Sequence, residues 1–269
     1  MQWLIKKNQQ SCRNAGISLG DNEFLCPLCG IITSIGIATV EHIEPRSASP
    51  INHVCVSCVS CNSKSGHSFD FALKEKISER DFVNLDHARD IRVSIGDVTV
   101  NATMRRTESG KVEIEVDGKR NRPGVNQEMS AAFAKPGIKI SMKFRSKATK
   151  IRLGKALLKC AYLKAVDYLG AQYAAMPIGN RIRSCLWNDS DPYEFLIGMN
   201  GLGSNASPFH LAYEGCDMLL VPSVVLPTAT HPCGIFPLNG RCLEQFNTTI
   251  RKLRDLYAGA TVSLSKQQE

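Results

Sequence analysis

Apolar and polar positions alternate across residues 91–117: Ile91, Val93 and Ile95, then Val98 and Val100, then Val112, Ile114 and Val116 set against Glu113 and Glu115. Successive strand side chains point to opposite faces, so this stretch predicts a β-meander with one buried face, turning at Gly110 and at Asp117-Gly118. Ile138, Ile140, Met142 and Phe144 alternate with Lys139, Ser141, Lys143 and Arg145 and predict a further strand. Between them, residues 126–135 read as a helix stopped by Pro136-Gly137.

The period then changes. Residues 149–173 carry an apolar stripe of Ile151, Leu158, Ala161, Tyr162, Ala165, Tyr168 and Leu169, which predicts the longest helix. Arg152, Lys155 and Lys159, three and four apart, form a basic stripe on it. Downstream, residues 178–187 predict a short helix, residues 208–213, 218–226 and 235–238 predict strands, and residues 243–257 predict a closing amphipathic helix. Upstream, residues 2–24 form a helical or irregular lead-in anchored by Trp3, Leu4 and Ile5, expected to dock on the segment that follows. Residues 31–43, β-branched with Gly36 between, predict two short strands or a hairpin. Phe71, Leu73, Ile77, Phe82 and Leu85 give residues 69–90 a helical spacing, placed to join two domains. The expected fold class is α+β, with one domain at 1–90 and a second at 91–269. The second holds antiparallel strands and a long basic amphipathic helix.

With 269 residues, 43% of them hydrophobic and 22% charged, the chain is long enough to bury a full core. Its N-terminus does not have the order of a signal peptide, and its longest apolar run, residues 218–226, is broken by Pro222 and too short to span a bilayer. A cytoplasmic location without membrane contact is the expectation. The net charge of +8 favours an acidic partner. Its distribution narrows this: residues 129–166 hold Lys135, Lys139, Lys143, Arg145, Lys147, Lys150, Arg152, Lys155, Lys159 and Lys164, and no Asp or Glu. Such a segment suits phosphate neutralisation.

The 11 cysteines change the picture more, because several stand in CxxC pairs, which favours metal binding by reduced thiols over disulfides. Cys26-Pro-Leu-Cys29 is one pair. Cys55-Val-Ser-Cys58-Val-Ser-Cys61 offers two overlapping choices for the second. Two knuckles of this kind meet the demand of structural Zn2+ for four tetrahedral sulfur ligands and leave no coordination position for water. Cys160, Cys185, Cys216, Cys233 and Cys242 lack paired spacing and read as buried thiols.

Between and after the cysteines stand Glu41-His42-Ile43-Glu44-Pro45, His53 and Asn62-Ser-Lys64. Phosphodiester hydrolysis needs an activated water, a cation for the developing charge and donors for the phosphate. An imidazole such as His42 accepts a proton at neutral pH, and Glu41 and Asn62 offer oxygen ligands of the kind Mg2+ or Mn2+ prefers.

On these residues the stretch 24–67 resembles the HNH endonuclease superfamily, the ββα-metal nucleases, in its zinc-stapled group. The resemblance implies Cys26, Cys29, Cys58 and Cys61 as structural zinc ligands and His42 as general base. It implies Glu41 and Asn62, with His67 further along the helix, as ligands of a catalytic Mg2+ or Mn2+. His53 takes the middle position that orients the base, with Asn52 one residue away, and Ser47-Ala-Ser-Pro50 stands where the family often has a glycine pair. Lys64, Arg152, Lys155 and Lys159 are the expected nucleic-acid contacts. The expected function is a metal-dependent endonuclease cutting DNA, with RNA possible, as effector of a defence system or mobile element. A homodimer or a regulatory protein partner is the expected assembly. The alternatives are a non-cleaving zinc nucleic-acid-binding module, or a nuclease governed by a C-terminal sensor domain.

Overall fold

A computed structural model describes residues 1–46, 53–84, 89–107, 109–144, 149–188, 190–200, 207–213, 215–223 and 230–257. Asn52, the Ser47–Pro50 loop, Leu85, Arg145 and Lys147 lie outside the described residues. The fold is α+β with antiparallel sheets, as the alternating and helical periods predict. No helix of the described residues is long and apolar enough to cross a membrane.

In chain order, α1 (Gln2–Asn14) leads into β1 (Glu23–Leu25), β2 (Ile32–Ser34), a single 3-10 turn, β3 (Ala38–His42) and β4 (Val54–Cys58). Then α2 (Val59–Ser65), a π-helical turn (Gly66–Asp70) and α3 (Phe71–Asn84) run on from one another. Next come β5 (Arg89–Ile95), β6 (Val98–Arg106), β7 (Val112–Val116), α4 (Val125–Phe133) and β8 (Ile140–Phe144). The remainder is α5 (Lys150–Leu169), α6 (Pro177–Trp187), β9 (Leu196–Asn200), β10 (Phe209–Tyr213), β11 (Cys216–Pro222), β12 (Thr230–Pro237) and α7 (Gly240–Tyr257).

The contacts divide this chain differently from the expected break at residue 90. One compact unit is Met1–Lys74 together with Ala148–Glu269, and the other is Glu75–Lys147. The reason is long-range: side chains of α5 and α6 bond to backbone carbonyls of the first cysteine pair, described below. The smaller unit is the predicted meander, a four-stranded sheet in the order β7-β6-β5-β8. Ile91, Val93, Ile95, Val100, Ala102 and Met104 bury one face against Val125, Met129 and Ala132 of α4. The edge strands carry less of that core than their alternation predicts, since Val112, Ile114, Ile140 and Met142 are exposed.

Of the two readings for residues 31–43, two short strands is the one found, and the strands belong to separate sheets. β2 pairs with β1, whereas β3 pairs with β4 in the register Glu41↔Cys55. The lead-in docks through Leu4, Asn8, Gln9 and Cys12, one face of α1, while Trp3 is 59% exposed. Asn8 both donates to the Leu25 carbonyl and accepts from its N–H, at 2.9 and 3.0 Å, which ties the helix to β1 more specifically than an apolar anchor would.

The basic amphipathic helix is corrected as well. α5, capped by the Thr149 hydroxyl accepting from the Arg152 N–H, is buried at Gly154, Ala156–Leu163, Ala165 and Val166. It is a central helix rather than a surface one. α5 and α7 pack on the sheet of order β10-β11-β12-β9. Gly234 of β12 permits the closest approach, because a Cβ there would collide with Ala161 of α5.

Candidate functional site

The two cysteine pairs converge. The sulfurs of Cys26, Cys29, Cys58 and Cys61 all lie within 4.8 Å of one another. A zinc ion 2.3 Å from each of four sulfurs sets neighbouring sulfurs about 3.8 Å apart, so this donor set fits Zn2+. The overlapping choice is settled by β4 ending at Cys58, where the helix that begins at Val59 brings Cys61 back toward the same point. Cys55 points elsewhere, is fully buried, and has its thiol pushed well above the ordinary value by burial. Within the cluster, hydrogen bonds with Cys26 and Cys61 lower the Cys29 thiol, as expected where several sulfurs share few protons.

The first knuckle turns at Gly30, whose φ of +72° only glycine adopts without strain, and the Gly30 N–H bonds to the Cys26 carbonyl at 2.7 Å. Its backbone is held from outside. The Tyr162 hydroxyl donates to the Pro27 carbonyl at 3.0 Å and the Trp187 indole N–H to the Leu28 carbonyl at 2.6 Å. Buried Arg183 bonds to the Tyr162 hydroxyl and the Ala174 carbonyl at 3.2 and 2.6 Å. Four thiolates around Zn2+ leave a net dianion, and the Arg183 guanidinium lies against Gly30 of that knuckle.

Glu41 and His42, adjacent on β3, face opposite ways. Glu41 is 1% exposed, and its Oε1 lies 2.5 Å from the Nζ of Lys159, which is itself fully buried. That ammonium also bonds both oxygens of Asp70, at 2.8 and 2.9 Å, and the Ser65 hydroxyl stands 3.4 Å from Nζ and from Glu41 Oε1. Burial raises the Glu41 carboxyl against the pull of Lys159. Burial alone would lower Lys159, but Glu41 and Asp70 outweigh it and hold the ammonium above the ordinary lysine range. Glu41 Oε2 is buried without a hydrogen-bond partner among the described residues.

Lys159 is therefore not a surface phosphate contact, contrary to expectation. As a catalytic divalent site, Glu41, Asn62 and His67 do not fit in this arrangement. An ammonium already occupies the cation position at Glu41. Asn62 donates its amide to the Val40 carbonyl at 2.9 Å, tying α2 to β3. His67 is exposed on the π-helical turn and lines a different feature. Asp70, the second carboxylate, carried no motif signal; its π-helical turn, a backbone insertion frequent at functional sites, cannot be read from side-chain periodicity.

His42 is half-buried, and its Nε2 accepts from the Arg46 Nε at 2.9 Å, so Nε2 carries no proton there. His53 is exposed, and its carbonyl accepts from the Ile43 N–H at 3.1 Å, extending the β3–β4 pairing beside His42. Lys64, Arg152 and Lys155 do come together. With His67, Ser68, Phe69, Thr149, Ile151, Leu186 and Trp187 they line a cleft of about 360 Å3. Comparison with protein-family models, curated proteins and solved structures finds no match.

Proposed function

We propose that this chain is a zinc-stapled ββα module that acts on nucleic acid and hydrolyses its phosphodiester bonds in the manner of the HNH enzymes. One observation carries the reading: β3, β4 and α2 follow as hairpin and helix, with the four cysteines gathered at the helix start and His42 presented at the end of β3. In this mechanism His42 Nε2 removes a proton from water, the water oxygen attacks phosphorus, and the 3′ oxygen departs, leaving a 5′ phosphate. Arg46, exposed beside His42, turns from Nε2 toward the phosphate as the base is freed. DNA is the expected substrate, RNA the alternative. A divalent cation belongs to what the resemblance implies, and Glu41 joins such a site only after leaving Lys159. Cleavage is therefore tested with Mg2+, with Mn2+ and with EDTA.

A second reading, a zinc-binding nucleic-acid module that does not cut, is favoured by that same Glu41–Lys159 pair. Plasmid nicking by the wild type and His42→Ala separates the two. Loss of a general base is expected to slow nicking by about 10²–10⁴-fold. Equal nicking by both proteins removes His42 as the base, and none from either with any divalent ion removes hydrolysis and leaves the binding module. A regulatory partner, in a defence system or mobile element, belongs to the same proposal and is tested by co-purification.

A further inference from the structure

Several cations of the larger unit are held by carboxylates. Lys159 is bonded to Glu41 and Asp70, Lys164 to Glu44, Arg181 to Glu194, and Lys7 to Asp167. Lys64, Arg152 and Lys155 have no carboxylate partner among the described residues, and these are the three that line one cleft, together with His67. Among the described residues, no Asp or Glu lines it. Lys155 donates to the Asn188 carbonyl at 2.5 Å, which uses one of its three N–H bonds. Lys64 stands 4.6 Å from the centre of the Trp187 ring.

Uncompensated positive charges that converge repel one another and are stabilised by an anion. The same cleft has an apolar lining: Ile151, 55% exposed, and the half-buried Trp187, whose ring carries the Lys64 ammonium and packs on Phe69, with Phe69 and Leu186 buried beneath. The volume, about 360 Å3, falls within the roughly 300–1,000 Å3 of small-ligand sites and suits one nucleotide rather than a duplex. Charge beside exposed apolar surface in one cleft matches a phosphate ester joined to a planar base.

We propose that this cleft binds one phosphorylated nucleotide unit, its phosphate held by Lys64, Arg152, Lys155 and His67 and its base against exposed Ile151 and the edge of Trp187. This deepens the nucleic-acid reading above and rests on it, but it makes no use of His42. The unit comes either from a single strand or from a free nucleotide.

The full chain with Trp3→Phe, which leaves Trp187 as its one tryptophan, reports binding by fluorescence. It is titrated with a nucleoside, the corresponding monophosphate, a short single-stranded oligonucleotide and a duplex. The monophosphate or the oligonucleotide is expected to change the Trp187 signal at concentrations where the nucleoside does not. Tighter binding of the oligonucleotide assigns the site to a strand, and tighter binding of the monophosphate assigns it to a free nucleotide. Arg152→Ala/Lys155→Ala is expected to weaken binding about 100-fold and, for the oligonucleotide, to lower the salt slope by no more than about one, while exposed Lys6→Ala changes neither. Preference for the duplex, an equal response to the nucleoside, or equal losses in the double variant and Lys6→Ala would overturn the proposal. His42→Ala keeps the cleft: lost cleavage with intact binding sinks neither reading, and intact cleavage with intact binding sinks only the hydrolytic role of His42.

Discussion

The two ends of one basic stripe on α5 meet opposite fates. Arg152 and Lys155, in the first turns, border an open cleft; Lys159, one turn further on, is fully buried between Glu41 and Asp70. All three are long cationic side chains three or four residues apart on one helix. What differs is what lies opposite: the end of α6 at one level, β3 and the π-helical turn at the next. A lysine in a basic run is thus a surface charge or a core residue according to elements far away in sequence.

Metal removal is the strongest way to break this contrast, because Tyr162 and Trp187 grip the knuckle that a metal ion in the four-cysteine cluster would close. Structural zinc contributes on the order of 10 kcal/mol, comparable to the whole stability of a domain. Chelation, or Cys61→Ser, is expected to abolish the cooperative unfolding transition of the larger unit seen by circular dichroism. An unchanged melting curve in chelator would remove the zinc staple.

Lys159→Ala tests the buried end of the stripe. It strands two carboxylates and is expected to cost about 3–5 kcal/mol in urea unfolding, whereas Glu41→Leu/Lys159→Leu recovers most of that loss. A cost below about 1 kcal/mol for the single variant would mean that Lys159 is not enclosed.

Tyr162→Phe deletes the hydroxyl that bonds the Pro27 carbonyl and accepts from Arg183, and is expected to cost about 1–3 kcal/mol. Loss of zinc affinity should accompany it, measured by competition with a chromophoric chelator.

The pH dependence sharpens the same contrast. Lys159 has its folded pKa raised above the ordinary 10.5, so its stabilisation is complete below that value and is lost as pH rises past it. Urea midpoints should fall above about pH 10.5, and less steeply in Lys159→Met. Buried Tyr162 and Tyr173, whose hydroxyls burial also raises, titrate in the same direction, so the slope lessens rather than vanishes. At the open end, Arg152→Ala should change stability by less than about 0.5 kcal/mol. A cost as large as that of Lys159→Ala would erase the distinction between the two ends.

Much of this molecule is legible in its residues. The alternation at residues 91–117 marks the meander, the apolar stripe over residues 149–173 marks α5, which stops earlier, at Leu169, and the CxxC spacing marks the sulfur cluster, since each depends on neighbours a few positions apart. Leu196–Asn200 was missed as a strand: its five residues include Gly198 and Asn200, which break the alternating pattern.

Tertiary structure decided the rest. It chose Cys58 and Cys61 over Cys55, turned Glu41 inward, and drew residues 149–257 into one unit with the cysteine segment. These outcomes rest on contacts spanning 89 residues from Asp70 to Lys159, 135 from Pro27 to Tyr162 and 159 from Leu28 to Trp187. Periodicity tells which face of an element is buried, but only the packed chain determines which partner buries it. Charge is most sensitive to that choice, because a single opposing carboxylate turns a nucleic-acid contact into part of the core.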